Sequence, residues 1–76
     1  MPHSFSIGDY VLVSDRSVWY YGHLGVIIYM IYYNDTDDHV PVAEIRFLTV
    51  EATSSYYVSR LVKLTEDEAM LRLLEW

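Results

Sequence analysis

IGDYVLV at residues 7–13 and GHLGVII at residues 22–28 decide the fold. In the first stretch, a Gly-Asp pair is typical of a turn, and Val11 and Val13 alternate with other residues as on a strand. In the second, two glycines three residues apart allow the chain to bend tightly before an apolar run. We therefore expect these stretches to form two strands of a small, closed β-barrel.

The composition limits the chain to one small domain. It has 76 residues, a hydrophobic content of 53%, eight tyrosines and no cysteine, which excludes disulfides and thiolate-rich zinc sites. The longest apolar run, residues 26–33, is far shorter than the ~20 residues needed to span a membrane. The first residues lack the basic segment and apolar core of a signal peptide. We expect a cytoplasmic protein without a membrane span.

The charge of the chain bears on its partners. Five Lys and Arg residues stand against eleven Asp and Glu residues, for a net charge of −6. Nucleic-acid binding draws much of its affinity from cations that neutralise phosphates. The single lysine, Lys63, and four scattered arginines form no basic stripe along the sequence, so nucleic acid is an unlikely partner.

Hydrophobic alternation predicts five strands at residues 10–14, 24–33, 42–50, 55–58 and 62–64, with a helical turn at 59–61 and a polar hairpin loop at 34–39. In the third strand, Ala43, Ile45 and Phe47 should face inward. The second strand is apolar on both faces, with one set at residues 26, 28, 30 and 32 and the other at 27, 29, 31 and 33. Its second face must be covered by the tail, by another copy or by a partner, so a homo-oligomer through this strand is one expectation.

The C-terminal segment carries a helix signal. Thr65 and Glu68 have the spacing of a capping box, and Met70, Leu73 and Leu74 fall on one helical face. A helix this short does not persist alone in water, so it must dock. We divide the chain into a barrel at residues 1–64 and a helix at 65–76 that packs on the barrel or on a partner.

Three stretches carry a resemblance: SVWYYGHLGV at residues 17–26, VPVAEIRF at 40–47 and YVSRL at 57–61. With the opening strands, they resemble SH3-like barrels of the KOW type, and more specifically the small SH3-like subunit of photosystem I and related barrels of ferredoxin-linked reductase and dehydrogenase complexes. The resemblance covers about residues 6–64. It implies a five-stranded SH3-like barrel and a role as a small accessory subunit. This chain is acidic where those subunits present basic residues, and it adds a capped helix, so the resemblance does not imply photosynthesis.

Loop aromatics in small barrels are typical of ligand grooves and rich in interface energy. A polar turn that leads into an aromatic run is the strongest such signal here. In a strand that alternates, one member of the Tyr56–Tyr57 pair must point inward. The predicted partner-binding residues are Asp15, Trp19, Tyr20, Tyr21, Tyr56 and Trp76.

Catalytic and metal-binding patterns are weak. The serines and the three histidines show no nucleophile elbow, no oxyanion motif and no acid at a telling spacing. His23, between two glycines, fits a surface turn better than a ligand. The carboxylates of the 34–39 loop lack the central glycine and the distal glutamate of a calcium loop. We expect no enzyme, no metal site and no cofactor.

The sequence therefore favours a mainly β protein, a five-stranded SH3-like barrel with a short C-terminal helix, that acts as a non-catalytic protein-binding module. The expected setting is a small accessory subunit or regulator within a larger prokaryotic or phage-encoded assembly, with a protein partner that presents a basic surface. Two alternatives remain open: an acidic phage-type inhibitor that imitates nucleic acid, and a KOW-like nucleic-acid binder.

Overall fold

The computed structural model describes residues 5–31 and 41–75. They form five strands, a 3₁₀ turn and one helix: β1 Tyr10–Val13, β2 Leu24–Ile31, β3 Val42–Phe47, β4 Thr53–Tyr57, the 3₁₀ turn Val58–Arg60, β5 Leu61–Leu64 and α1 Glu66–Glu75. All strands are antiparallel neighbours in one sheet with the order β4-β3-β2-β1-β5. The chain is therefore mainly β, as expected. The two end strands do not pair in the described part of the chain, so the sheet is not closed and the barrel is not confirmed.

The predicted elements are present with shifted ends. β3 is shorter than expected because the chain bends after Phe47, where the Phe47 amide donates to the carbonyl of Ala52 at 3.0 Å. β4 begins earlier, at Thr53, and the 3₁₀ turn lies one residue earlier than the predicted turn. The predicted end of the second strand at residues 32–33 and the hairpin loop at 34–39 lie outside the described residues.

The main core lies on one face of the sheet. The expected inward set of β3 is confirmed, since Ala43, Ile45 and Phe47 are at most 4% exposed. They pack in one apolar cluster with side chains from the other strands and the 3₁₀ turn: Val11, Val13, Ile27, Tyr56, Val58 and Leu61. Close packing of such a cluster is what a domain with a limited core requires.

A β-bulge in β2 corrects the expected division of that strand into two faces. Ile27 pairs with Ile45, but Tyr29 pairs with Glu44, so Ile28 is an extra residue without its own partner. The extra residue reverses the alternation, because side chains change face at every position. Ile27 faces the core before the bulge and Met30 packs against it after the bulge. Each face of β2 therefore mixes the two predicted sets.

Helix α1 covers part of the opposite face. It lies against β1, β2 and β5. Leu24 and Ala69 are fully buried, yet neither belongs to the main core cluster. Val11 of the core pairs with Gly25, and the next pair along the two strands is Leu12 with Leu24. Because side chains alternate between the faces of a sheet, Leu24 points away from the core and toward the helix. A second, small apolar layer therefore holds the helix on the sheet.

The capping box is confirmed. The Thr65 amide donates to Glu68 Oε1 at 2.8 Å, and the Glu68 amide donates to Thr65 Oγ1 at 3.1 Å. The predicted apolar face of the helix is only partly right, because Leu74 is 84% exposed and Ala69 makes the buried contact. No helix in residues 5–31 and 41–75 is long and apolar enough to cross a membrane.

Candidate protein-interaction site

The loop between β1 and β2, residues 14–23, is a run of hydrogen-bonded turns, and we call it the aromatic loop. Amides donate to carbonyls three residues earlier from Val18 to Asp15 at 3.3 Å, from Tyr21 to Val18 at 3.3 Å and from His23 to Tyr20 at 3.0 Å. At the closing end, Gly22 takes a φ of +84°, a conformation that glycine adopts without steric cost. The loop has a defined backbone because most of its turns are closed internally.

Asp15 fixes the entry to the aromatic loop. Its Oδ1 accepts from the Ser17 hydroxyl at 2.6 Å and from the Ser17 amide at 2.9 Å. Its Oδ2 lies 3.4 Å from Arg60 Nη1. The Ser17 hydroxyl is the main cause that lowers the pKa of Asp15, with further contributions from the Ser17 amide and Arg60. The carboxylate is thus occupied in holding the loop.

Tyr20 anchors the loop to the core. Its ring centroid lies 4.7 Å from that of Phe47 and 5.5 Å from that of His23. His23 Nδ1 and Thr49 Oγ1 are hydrogen-bonded at 3.1 Å, which ties this aromatic cluster to the β3–β4 turn. Tyr20 is half-buried and packs against the main core. It therefore positions its neighbours, and offers less free surface than they do.

Trp19 and Tyr21 flank this anchor in the sequence, and both are exposed. Trp19 is 89% exposed, and Tyr21 is 46% exposed. The guanidinium Cζ of Arg16 lies 5.8 Å from the centre of the Tyr21 ring, within the range of a cation–π contact. The exposed surface of the loop thus consists of an indole, a phenol and a cation beside it.

The other predicted contact residues have different positions. Tyr56 is 8% exposed, because it pairs with the inward residue Ala43. Its ring belongs to the core, so of this pair Tyr57, which is half exposed, is the residue on the surface. Trp76 lies outside the described residues. The structure therefore groups Asp15, Trp19 and the two loop tyrosines on one loop, and places the two tyrosines of β4 on a different element.

Sequence reasoning missed the residues that support the loop. The sequence pattern places Arg60 only in a turn, although both the Ser14 amide at 2.8 Å and the Ser14 hydroxyl at 3.0 Å donate to its carbonyl. The bond from the Ser17 amide to Asp15 has a signal in the Asp-x-Ser spacing, since an Asp side chain commonly accepts from the amide two residues later. No sequence pattern indicates the long-range contacts of Arg60 with Ser14 and Asp15.

No ligand cluster accompanies this surface. The residues that the structure describes contain no group of three or more His, Asp or Glu side chains that could hold a metal ion. Comparisons with protein-family models, with curated proteins and with solved structures found no match for the chain. The geometry of the aromatic loop is therefore the basis for a functional proposal.

Proposed function

We propose that this protein is a small, non-catalytic protein-binding domain of the SH3-like type, with the aromatic loop as its contact surface. The SH3-like assignment is supported by the strand order and by the single 3₁₀ turn between β4 and β5. The proposal keeps the setting expected from the sequence, an accessory subunit or regulator of a larger cytoplasmic assembly that works without a cofactor.

The observation that carries the proposal is the exposure of Trp19 on a loop with a defined backbone. An indole that is 89% exposed leaves a large apolar surface in water. A contact loop that is already ordered loses less conformational entropy on binding, so more of the contact energy appears as affinity. Buried Trp and Tyr side chains are also the residues that most often dominate interface energies.

The distribution of charge favours a protein partner with a basic surface. In the described part of the chain, Lys63 is held by Asp9 and Arg60 by Asp15, each at 3.4 Å. Arg16 lies over the Tyr21 ring. The net charge of −6 then attracts basic surfaces and repels phosphate backbones. KOW-like nucleic-acid binding is disfavoured for the same reason.

The same charge supports a second candidate, an acidic inhibitor that imitates nucleic acid. The two functions differ in the contact surface. An imitator would use its carboxylates and would tolerate the loss of Trp19, whereas a domain that binds through the aromatic loop would not.

A selection from a displayed peptide library tests the proposal. The folded domain is the target, and the Trp19→Ala variant removes peptides that bind elsewhere. We expect enriched peptides with Lys or Arg beside apolar residues. Fluorescence anisotropy with duplex and single-stranded nucleic acid at roughly 150 mM salt should show no binding. Peptides that bind both proteins equally, or tight salt-dependent binding of nucleic acid, would overturn the proposal.

A further inference from the structure

A groove of about 970 Å³ lies beside the turn that joins β3 to β4. Its floor is a row of side chains that the register places side by side on β2, β3 and β4: Val26, Arg46 and Thr53. Because Ile45 and Phe47 face the main core, Arg46 between them points to the other side of the sheet. We call this cavity the β3–β4 groove.

The groove is open although helix α1 lies on the same side of the sheet. The helix lies against β1, β2 and β5. In the part of the chain that the structure describes, no residue of α1 lines the groove. Its wall is the β3–β4 turn, where the apolar side chains of Leu48 and Val50 are both exposed. An occupant can therefore reach the floor without displacing the helix.

Arg46 is a cation without an ionic partner among residues 5–31 and 41–75. Glu44, two residues away on the same face of β3, and Glu51, on the groove wall, both lie beyond ion-pair distance from it. A guanidinium presents its donors in a planar fork that matches a carboxylate. The floor thus offers a binding position for a carboxylate beside apolar side chains.

The wall also offers backbone donors. Within the described residues, the amides of Thr49, Val50 and Glu51 donate to no protein acceptor. An extended peptide brings a carbonyl at every residue, and main-chain hydrogen bonds are a common source of affinity in peptide recognition. The volume of the groove lies at the upper end for small-molecule pockets, so a small acid would leave much of it unfilled. These features favour a peptide over a small acid.

We propose that the β3–β4 groove binds an extended segment of a partner protein that carries one acidic side chain between apolar residues. The carboxylate pairs with Arg46, and the apolar side chains pack on Val26, Leu48 and Val50. The net charge of −6 and the carboxylate of Glu51 on the wall repel a second acid, so the segment carries only one. None of the described lining residues belongs to the aromatic loop, so this inference does not rest on the contact proposed there.

A displayed peptide library supplies the probe. The target is the folded Trp19→Ala protein, which lacks the proposed anchor of the aromatic loop. Peptides that also bind the Trp19→Ala, Arg46→Glu double variant are discarded. We expect the remaining peptides to share one Asp or Glu flanked by apolar residues. In the wild type, the amide shifts that such a peptide causes by NMR should fall on Val26, Arg46 and the β3–β4 turn.

A double-mutant cycle tests the pairing itself. The selected peptide is acetylated and amidated, so that its side chain supplies the carboxylate, and a twin peptide carries the corresponding amide. Both are titrated by calorimetry into wild type and Arg46→Gln. Each single change should raise the dissociation constant about tenfold, the lower end for hydrogen bonds to charged groups. The two changes together should raise it little further, because they remove the same contact.

Glu51→Gln is the matched control, because it neutralises a lining residue of the opposite charge. It should bind the peptide at least as tightly as wild type does, with circular dichroism as the check on folding. A loss in Glu51→Gln equal to that in Arg46→Gln would overturn the proposal. So would additive effects in the cycle, or a selection that yields no peptide dependent on Arg46.

Two further titrations distinguish other occupants. N-acetyl-leucine, a small apolar acid, should bind far more weakly than the peptide, and equal affinity would overturn the proposal in favour of a small-molecule site. Raising the concentration of the wild type alone should leave the amide shifts of the groove unchanged, and movement there would assign the groove to a second copy. Because the selection uses Trp19→Ala, failure of the aromatic-loop proposal leaves these results unaffected.

Discussion

Asp15 Oδ2 and Arg60 Nη1 lie 3.4 Å apart, and this ion pair joins the start of the aromatic loop to the 3₁₀ turn that precedes β5. The same carboxylate is fixed by Ser17, so one side chain links a local turn to a distant part of the chain. The direction in which Trp19 projects therefore depends on contacts outside its own loop.

Neutralising this carboxylate should loosen the loop. The hydroxyl of Ser17 is the first cause that holds the pKa of Asp15 below its ordinary value of 3.8. Because its pKa is lowered in the folded protein, the Asp15 carboxylate orders the loop at pH values above its unfolded pKa. This contribution is lost as the pH falls through the folded pKa. We expect Asp15→Asn to increase Trp19 indole mobility at neutral pH, and wild type to match it only in acid. An unchanged heteronuclear NOE for the Trp19 side chain in Asp15→Asn would show that the Asp15–Arg60 ion pair does not restrict the loop.

Substitution by alanine should lower the free energy of unfolding by different amounts at Gly25 and at Gly22. Gly25 lies in β2, where an added Cβ would overlap Ile45 Cγ2 and come within 3.0 Å of the Arg46 carbonyl oxygen. We expect Gly25→Ala to destabilise by about 3 kcal/mol, at the upper end for an overpacked core. Gly22→Ala meets no neighbouring atom but keeps a φ of +84°, and should cost about 1 kcal/mol. Urea denaturation measures both, and equal losses would contradict the close packing at Gly25.

Helix α1 offers a matched pair of substitutions. Ala69 is fully buried against the sheet, whereas Leu71 is 61% exposed. Ala69→Glu places a charge in an apolar layer and should lower the free energy of unfolding by about 3 kcal/mol or more. Leu71→Glu adds the same charge at the surface and should change it by less than about 0.5 kcal/mol. Similar losses, measured by denaturant unfolding, would mean that the helix does not rest on Ala69.

The capping box should give the helix a pH dependence. The Thr65 amide is the main cause that lowers the pKa of Glu68 from its ordinary value of 4.5, followed by the Thr65 hydroxyl. Stability from this carboxylate is present above the unfolded pKa and lost as the pH falls through the folded value. We expect wild-type α1 to weaken in acid and Glu68→Gln to weaken less, as judged by amide exchange in the helix. Glu66→Gln, in the same turn, is the control that should keep the wild-type profile.

Much of the sheet could be predicted from the sequence, because alternation on β3 reports burial directly. Ala43, Ile45 and Phe47 are buried as expected. The bulge at Ile28 could not be predicted, because every residue of β2 is apolar or glycine apart from a tyrosine. Such a sequence has no alternation of polar and apolar residues that would show which side chains face the core. The expectation of a closed sheet depends on a resemblance, and strand pairing alone does not confirm it.

The site was only partly predictable. The place of Trp19 after a polar turn predicts its exposed indole. The inward position of Tyr20 has no such signal, because its contact with Phe47 joins residues that are far apart in the sequence. The choice between Tyr56 and Tyr57 depends on the register of β4, which the pairing with β3 sets.

The most direct test of the aromatic-loop proposal compares two exposed apolar residues in one binding measurement. A peptide selected on the folded domain is titrated by calorimetry into wild type, Trp19→Ala and Leu71→Ala, with circular dichroism as the check on folding. Leu71 is 61% exposed and lies on helix α1, away from the core against which Tyr20 packs, and so it serves as the control.

We expect Trp19→Ala to weaken binding by about 2 kcal/mol, roughly thirtyfold, as for the central anchor of an interface, and Leu71→Ala to bind as wild type does. A folded Trp19→Ala protein that binds the peptide as tightly as wild type would contradict the account.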